Sequence, residues 1–328
     1  MKYLGNKNRL SDFLSHNMGL KSRGNARALD LFCGTGAVSL LFKSHGINTV
    51  SNDFLSFSAH RTRSILLDRA PSRQHAIEHN ISHGFITKNY SESSGVNIFK
   101  TDIAKHIDGA RLWIDKMSKQ LTPQEFSYYL AQIIEAADFR SNIMGSYESY
   151  YKAGWRRQCE KPWQVKDFEL VDMHNSTKHI VHNDDAYQFL QNNVDSYDLI
   201  YLDPPYNSRQ YSSVFHVLET ISKYNNPAVK GVVRKSIETS DKKSKLSSKR
   251  NCHSEMTRII DLCSEKTNEL FVSYSNEGIM QPSELEEMIG LKFKNTMVHE
   301  LDYRRFKTNS RKQNGNNKVK EYLFHGIK

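Results

Sequence analysis

Arg27-Ala28-Leu29-Asp30-Leu31-Phe32-Cys33-Gly34-Thr35-Gly36-Ala37-Val38-Ser39-Leu40-Leu41-Phe42-Lys43 is the stretch that decides the fold. Arg27 to Phe32 is a short apolar run, Cys33 to Gly36 breaks it, and Ala37 to Lys43 resumes with helical character. A second strand-like run, Ile47 to Asn52, ends at Asp53. Strand, glycine turn, helix, strand is the opening of a parallel α/β sheet. Outward from it, Asp198 to Leu202 reads as a short buried strand running straight into Asp203-Pro204-Pro205-Tyr206. His179 to His182 and Leu270 to Tyr274 read as further strands. Two more, Thr296 to Tyr303 and Val319 to Phe324, flank an Asn- and Gly-rich hairpin turn at 309–317. Tyr211 to Tyr224 has helical character.

From Ser64 to Asn175 the strand pattern lapses. This polar and then aromatic-rich block holds Trp113, Trp155 and Trp163 with Tyr128, Tyr129, Tyr147, Tyr150 and Tyr151. The expectation is a mainly helical domain, 64–175, inserted between two parts (1–63 and 176–328) of one sheet domain, its aromatics forming a small core of their own. Residues 230–252 form a basic segment. From Lys230 to Arg250 there are eight Lys or Arg against Glu238 and Asp241, which predicts a solvated, mobile loop.

Lys and Arg number 46 and Asp and Glu 36, a formal charge of +10, so polyanions are favoured partners. Cys33, Cys159, Cys252 and Cys263 form no C-x-x-C pair. They are expected as reduced thiols of a cytoplasmic protein, with no structural metal. The opening residues have no apolar stretch of signal-peptide length and no run is long enough to span a bilayer, so no membrane is expected.

Glycine permits positive φ and close approach of the backbone to a ligand. The C-terminal edge of a parallel sheet is where a ligand sits. Asp53, 17 residues beyond Gly36 at the end of the second strand, is placed to hold ribose hydroxyls. A plain turn with a capping acid is the alternative, and at this step NAD, flavin and S-adenosylmethionine all stay open. The third glycine of a dinucleotide fingerprint would fall on Ser39, which counts against NAD.

Asp203-Pro204-Pro205-Tyr206 is more specific. Two prolines fix φ and aim the Asp203 carboxylate and the Pro204 carbonyl at one point. Two acceptors fit an –NH₂ group, and Tyr206 offers a face on which a base can stack. Pulling both hydrogens of an aromatic amine favours a pyramidal nitrogen whose lone pair faces a methyl donor, so much of the catalysis is positioning. No Cys or Ser nucleophile is needed.

Asp203-Pro204-Pro205-Tyr206 together with Asp30-x-Phe32-x-Gly34-x-Gly36 resembles the amino-methyltransferases, and most of all the Dam-type DNA adenine-N6 methyltransferases. Tyr3-Leu4-Gly5-Asn6-Lys7 is similar to that family's opening segment, in which an aromatic and a lysine flank the cofactor, although Asn6 stands where a second glycine is common. Asn52-Asp53 matches the ribose-binding acid. Asn183-Asp184-Asp185-Ala186 resembles the segment beside the cofactor adenine, with Ala186 where relatives have an aromatic. Tyr206-Asn207-Ser208-Arg209-Gln210-Tyr211, and the tail Tyr303-Arg304-Arg305-Phe306 with Lys320-Glu321-Tyr322-Leu323-Phe324, resemble the methylases of FokI-type restriction-modification systems. The resemblance is thin over 64–175, where the family carries its target-recognition domain.

It implies a Rossmann-like methyltransferase sheet with helices on both faces and a C-terminal antiparallel hairpin. It implies S-adenosylmethionine as cofactor, held by Tyr3, Lys7, Asp30, Phe32, Gly34, Gly36, Asp53, Asp184, Asp185 and Asp203, and catalysis by Asp203, Pro204 and Tyr206. It also implies methylation of adenine N6 in double-stranded DNA, with a cognate restriction endonuclease as a candidate partner. The target lies inside the duplex, so the base is extruded at a cost of a few kcal/mol. Stacking on Tyr206 and phosphate contacts from Arg209, Lys242, Lys243, Arg311 and Lys312 are the expected compensation, with Lys245, Lys249 and Arg250 in the same basic run. Arg156, Arg157 and Gln158 beside Trp155 are candidates for reading base edges. The same chemistry on RNA adenine or on the cytosine amine, a non-catalytic DNA-binding regulator, and a nicotinamide oxidoreductase are the competing readings. Asp at the head of the Pro-Pro-Tyr loop favours adenine through the family resemblance, and the large insertion favours duplex DNA.

Overall fold

A computed structural model describes residues 7–71, 80–171, 177–304 and 318–328. The chain divides into two compact units. One comprises Asn6–Phe54, Met173–Arg209 and Ser244–Lys328; the other comprises Met1–Gly5, Leu55–Asp172 and Gln210–Lys243.

The first unit is built on a seven-stranded sheet: β1 (Arg27–Asp30), β2 (Asn48–Asn52), β3 (His179–His182), β4 (Leu199–Leu202), β5 (Glu269–Ser275), β6 (Asn295–Arg304) and β7 (Lys318–Ile327). Their order across the sheet is β3-β2-β1-β4-β5-β7-β6. β1 pairs in parallel with β2 and β4, β2 with β3, and β4 with β5, whereas β7 runs antiparallel between β5 and β6. The sheet is therefore a doubly wound α/β sheet with a C-terminal antiparallel hairpin.

Every residue of Leu199-Ile200-Tyr201-Leu202 is buried. Side chains two apart share a face, so Leu29, Leu31, Ile200 and Leu202 enter one core, and Ala28, Leu199 and Tyr201 enter the other. Both faces are covered, which is why these strands read as continuous apolar runs rather than alternating ones. The helix Cys252–Lys266 contributes Met256, Ile259 and Ile260 to the first core, and the helix Pro282–Gly290 contributes Leu285 and Ile289. At Gly326 a Cβ would come within 2.7 Å of Ile289 and 2.9 Å of Phe293, so only glycine allows that packing. β1 lies between β2 on one side and β4 on the other. The chain turns outward in opposite directions there, which makes the carboxyl ends of β1 and β4 the crevice where this architecture binds ligands.

The second unit is mainly helical. The helix Pro123–Phe139 starts with a capping box between Thr122 and Glu125. Asp108, buried in the helix Thr101–Met117, caps the helix Phe85–Tyr90 from a distance, accepting the N–H groups of Gly84, Ile86 and Thr87 at 2.9, 2.9 and 2.8 Å. Tyr128, Tyr129, Tyr147 and Trp163 are buried, so these aromatics are core rather than stacking surface. Trp155 is half-buried under the Lys100 ammonium, 5.1 Å from its ring centroid.

Three local features differ from expectation. The helix over 211–224 breaks at Phe215 into Tyr211–Val214 and His216–Lys223, and ends at Tyr224 with φ 48°. Helices over 252–266 and 282–290 also arise from patterns in which apolar residues are sparse. The basic segment is folded. Val229–Lys230 pairs with Lys235–Ser236, the Ser236 side chain caps the helix Ile237–Asp241, and Leu246 is buried at 3 % exposure. Composition averages over such single anchoring residues and so reads the stretch as a loop. No disulfide joins Cys33, Cys159, Cys252 or Cys263, and all four are buried. No helix among the described residues is long and apolar enough to cross a membrane.

Candidate active site

Asp30 closes β1 and is 1 % exposed. Its Oδ2 accepts the Ser39 hydroxyl at 2.6 Å, and Ser39 Oγ lies 2.8 Å from Ser51 Oγ. Its Oδ1 is buried without a hydrogen-bond partner. Burial pushes the Asp30 carboxyl up to about 7, the Ser39 hydrogen bond opposes this, and the charges of Asp203 and Asp53 add to it. The turn that follows needs its glycines: Gly34 has φ 51° and Gly36 φ 78°, both left-handed. Gly36 precedes the helix Ala37–Ser44, so the turn delivers backbone N–H groups to a helix N-terminus.

The end of β2 locks this turn. Asp53 Oδ2 accepts Gly34 N–H at 2.8 Å, and Cys33 N–H donates to the Asn52 carbonyl at 2.9 Å. Asn52 also clamps the segment after β3: its side-chain amide donates to the Asp184 carbonyl and accepts the Asp184 N–H, both at 3.0 Å. Asn183 donates to the Asp53 carbonyl at 2.7 Å. The Asp184 side chain is exposed, while Asp185 Oδ1 caps the helix Ala186–Asn192 by accepting Tyr187 and Gln188 N–H at 3.1 and 3.2 Å. Phe32 is half-buried against the core beside these groups.

Asp203 leaves β4 beside the turn: Leu31 N–H donates to the Tyr201 carbonyl at 3.1 Å, in line with the pairing of Asp30 and Tyr201. Its side chain is 18 % exposed, enough to meet a ligand. The Lys7 ammonium lies 3.1 Å from Asp203 Oδ1 and donates a hydrogen bond to Glu321 on β7. Burial pushes the Asp203 carboxyl up to about 6; Lys7 pulls it down and Glu321 adds to the rise. Burial alone would lower Lys7, but its two carboxylate neighbours outweigh that and hold the ammonium well above its ordinary range.

Pro204 is buried and Tyr206 half-buried. The Tyr206 carbonyl accepts Ile279 N–H at 2.7 Å and the Tyr274 hydroxyl at 3.4 Å. The two tyrosine rings meet edge to face, 6.2 Å apart at 74°. Tyr274 closes over Gly278, where a Cβ would come within 2.1 Å of its ring.

Lys7, Asp30, Phe32, Gly34, Gly36, Asp53, Asp184, Asp185, Asp203, Pro204 and Tyr206 thus share one unit. Arg209 is exposed on the same unit, its N–H bonded to Asn207 Oδ1 at 3.0 Å. In the other unit Lys243 is exposed, while the Lys242 ammonium is 3.6 Å from the buried Glu219 carboxylate. There too, the Arg156 guanidinium donates to the Ser141 carbonyl at 2.8 Å. Tyr3, Arg311 and Lys312 lie outside the described residues.

Sequence reading missed three groups: Asn52 as the clamp, Tyr274 with Gly278 as the support of Tyr206, and Glu321. The last was legible in principle. Val319, Glu321, Leu323 and His325 form one buried row of β7, and a carboxylate in such a row needs a partner.

A family model described as D12 class N6 adenine-specific DNA methyltransferase matches residues 3–288. The type II methyltransferase M.FokI of Planomicrobium okeanokoites is 30% identical over 359 residues, covering 99% of this chain and 52% of that protein. The modification methylase StsI of Streptococcus sanguinis is 28% identical, covering 99% and 51%. The type II methyltransferase M.NlaIII of Neisseria lactamica is 30% identical over 352 residues, covering 98% of each. The chain therefore spans about half the length of the FokI and StsI methylases and nearly the whole of the NlaIII methylase.

Proposed function

The chain belongs to the D12 class of N6 adenine-specific DNA methyltransferases, and we propose that it transfers a methyl group from S-adenosylmethionine to N6 of a flipped-out adenine at a specific site in double-stranded DNA. The observation that carries this reading is the Asp203 carboxylate. It stands at the end of β4 beside the glycine turn of β1, tied to Lys7 at 3.1 Å and followed by two prolines.

The residues present fit the cofactor. Two left-handed glycines open the backbone to a ligand, and Asp30 presents a buried carboxylate oxygen without a hydrogen-bond partner. Asp30, Asp53 and Asp203 together make an acidic environment suited to a sulfonium cation. Lys7, Asp30, Phe32, Gly34, Gly36, Asp53, Asp184 and Asp185 would hold it. Once bound, S-adenosylmethionine supplies an electrophilic methyl group.

The remaining work falls to the chain. Asp203 Oδ and the Pro204 carbonyl accept the two amine hydrogens, which withdraws the nitrogen lone pair from the ring and aims it. Two prolines and the Ile279 and Tyr274 contacts to the Tyr206 backbone hold the loop, so little reorganisation accompanies the reaction. Tyr206 stacks on the extruded base, contributing about 1–3 kcal/mol against the cost of flipping. We assign target recognition to the mainly helical unit. Phosphate contacts are assigned to Arg209 and Lys243, and to Lys242 with Glu219 as its competing partner. Cytoplasmic action and a cognate restriction endonuclease as partner accord with relatives that are type II modification enzymes.

The test is expression in a host lacking adenine methylation, digestion of its DNA to nucleosides, and mass analysis. N6-methyladenine is expected with the wild type. None is expected with Asp203→Ala, whose cofactor affinity, read by calorimetry, falls only partly. Label in RNA or on cytosine would transfer the same chemistry to that substrate, and no label anywhere would favour a non-catalytic regulator.

A further inference from the structure

Beneath the catalytic loop one ammonium is shared by two carboxylates. Lys7 is 5 % exposed and Glu321 3 %, and Lys7 bonds Glu321 as well as Asp203. The three groups come from distant parts of the chain, with Lys7 and Glu321 separated by 314 residues, so the triad exists only in the folded protein. Its net charge is −1. A core selected for stability alone avoids a buried, uncompensated charge, because desolvation outweighs what the pairing returns. A one-to-one pair of Lys7 with Asp203 would have removed it.

We propose that Glu321 is a positioning residue for methyl transfer: by taking a share of the Lys7 charge it leaves Asp203 under-neutralised, and so a stronger acceptor for the amine hydrogens of the target base. The inference rests on the reading of Asp203 as the amine acceptor. The groups that bear on Asp203 are named by the structure. Lys7 faces it from the N-terminal 3-10 turn Lys7–Leu10, and Glu321 from β7. Asp30 on β1 and Tyr201 on its own strand feel its charge in turn, the Tyr201 hydroxyl being spent on Ser273 Oγ at 2.8 Å. Of these, Lys7 lowers the proton affinity of Asp203, whereas burial and Glu321 raise it. Glu321→Gln removes one raising influence and frees Lys7 to close on Asp203, so both effects act in the same direction.

The experiment is a carbon-13 NMR titration of the Asp203 carboxyl in the full chain without cofactor or DNA, paired with the pH profile of kcat on DNA. Glu321→Gln is expected to move the titration midpoint down by about half a pH unit or more. The acid limb of kcat should follow it, and the plateau kcat should fall several-fold more than KM for DNA changes. Glu321→Asp, which keeps the charge, is expected to hold the midpoint near the wild-type position. An unchanged midpoint in folded Glu321→Gln overturns the proposal, because a merely structural residue would lower thermal stability without moving it.

Should Glu321→Gln not fold, Lys7→Met carries the test. With two carboxylates then facing each other the midpoint must rise, and no rise overturns the proposal. The titration involves no methyl transfer. A variant midpoint that shifts as described, in a protein whose wild type methylates no adenine, therefore leaves the charge sharing standing and removes only the substrate reading.

Discussion

Replacing Asp30 with Asn should make the cofactor-free protein more stable at alkaline pH and a poorer cofactor binder. Asp30 is 1 % exposed, one oxygen meets Ser39 at 2.6 Å, and the other has no hydrogen-bond partner. Its carboxyl is pushed from an ordinary 3.8 up to about 7, burial being the main cause. A folded-state value above the unfolded one contributes stability that is complete below the unfolded value and is lost as pH rises through the folded one. At 1.36 kcal/mol per unit, the span from 3.8 to about 7 corresponds to a loss of roughly 4 kcal/mol between pH 4 and pH 8, an upper figure because the shift includes the charges of Asp203 and Asp53. Asn carries no charge and escapes that loss. Urea unfolding of the cofactor-free variant should give it about 2–4 kcal/mol over the wild type at pH 8, with the two proteins close to equal at pH 4. Affinity for S-adenosylmethionine at pH 8 should fall at least about tenfold, equivalent to about 1.4 kcal/mol, since a buried anion facing a cation is removed. Stability curves that run parallel across this pH range, or a variant less stable than the wild type at pH 8, would refute the reasoning. Stability forgone at a site that needs charge is a common pattern in enzymes.

Two further outcomes are expected. Tyr206→Ala should cut capture of a fluorescent base analogue by about 1–3 kcal/mol, roughly five- to 150-fold, while calorimetric cofactor affinity changes less than threefold; equal losses in both would remove the stacking role. Gly278→Ala should cost about 1–3 kcal/mol of stability, measured by urea unfolding, because its Cβ would press within 2.1 Å of the buried Tyr274 ring. The same variant should loosen the Tyr206 loop and so lower kcat, and full stability with full kcat would contradict that account.

How much was legible follows from where the signals lie along the chain. Strand β1, its glycine turn and the next helix are contiguous, and the local chemistry of apolar run, left-handed glycine and helix suffices to place them. The same holds for β4 running into Asp203-Pro204-Pro205-Tyr206, and for Asp53 closing β2. Helices such as Cys252–Lys266 were not legible, because Cys252, Met256, Ile259, Ile260 and Cys263 are interrupted by two or three residues at a time and form one inward face only once the partner sheet defines which side is inside. The folded state of the basic segment escaped for the same reason: Leu246 counts as one apolar residue among lysines until the core that receives it is known.

The sequence by itself determined the class of sheet, the glycine turn that follows β1, and the rigid Asp203-Pro204-Pro205-Tyr206 loop after β4, because each is encoded within a few consecutive residues whose φ preferences and polarity leave little choice. Only the tertiary structure decided how those pieces are tuned. Lys7 and Glu321, 314 residues apart, meet each other, and the same Lys7 ammonium reaches Asp203. Asn52 ties the Asp184 segment to the end of β2, and Asp30 is stripped of water with one oxygen unmatched. Such features depend on distance and desolvation between residues remote in the chain, and neither quantity exists until the sheet has assembled.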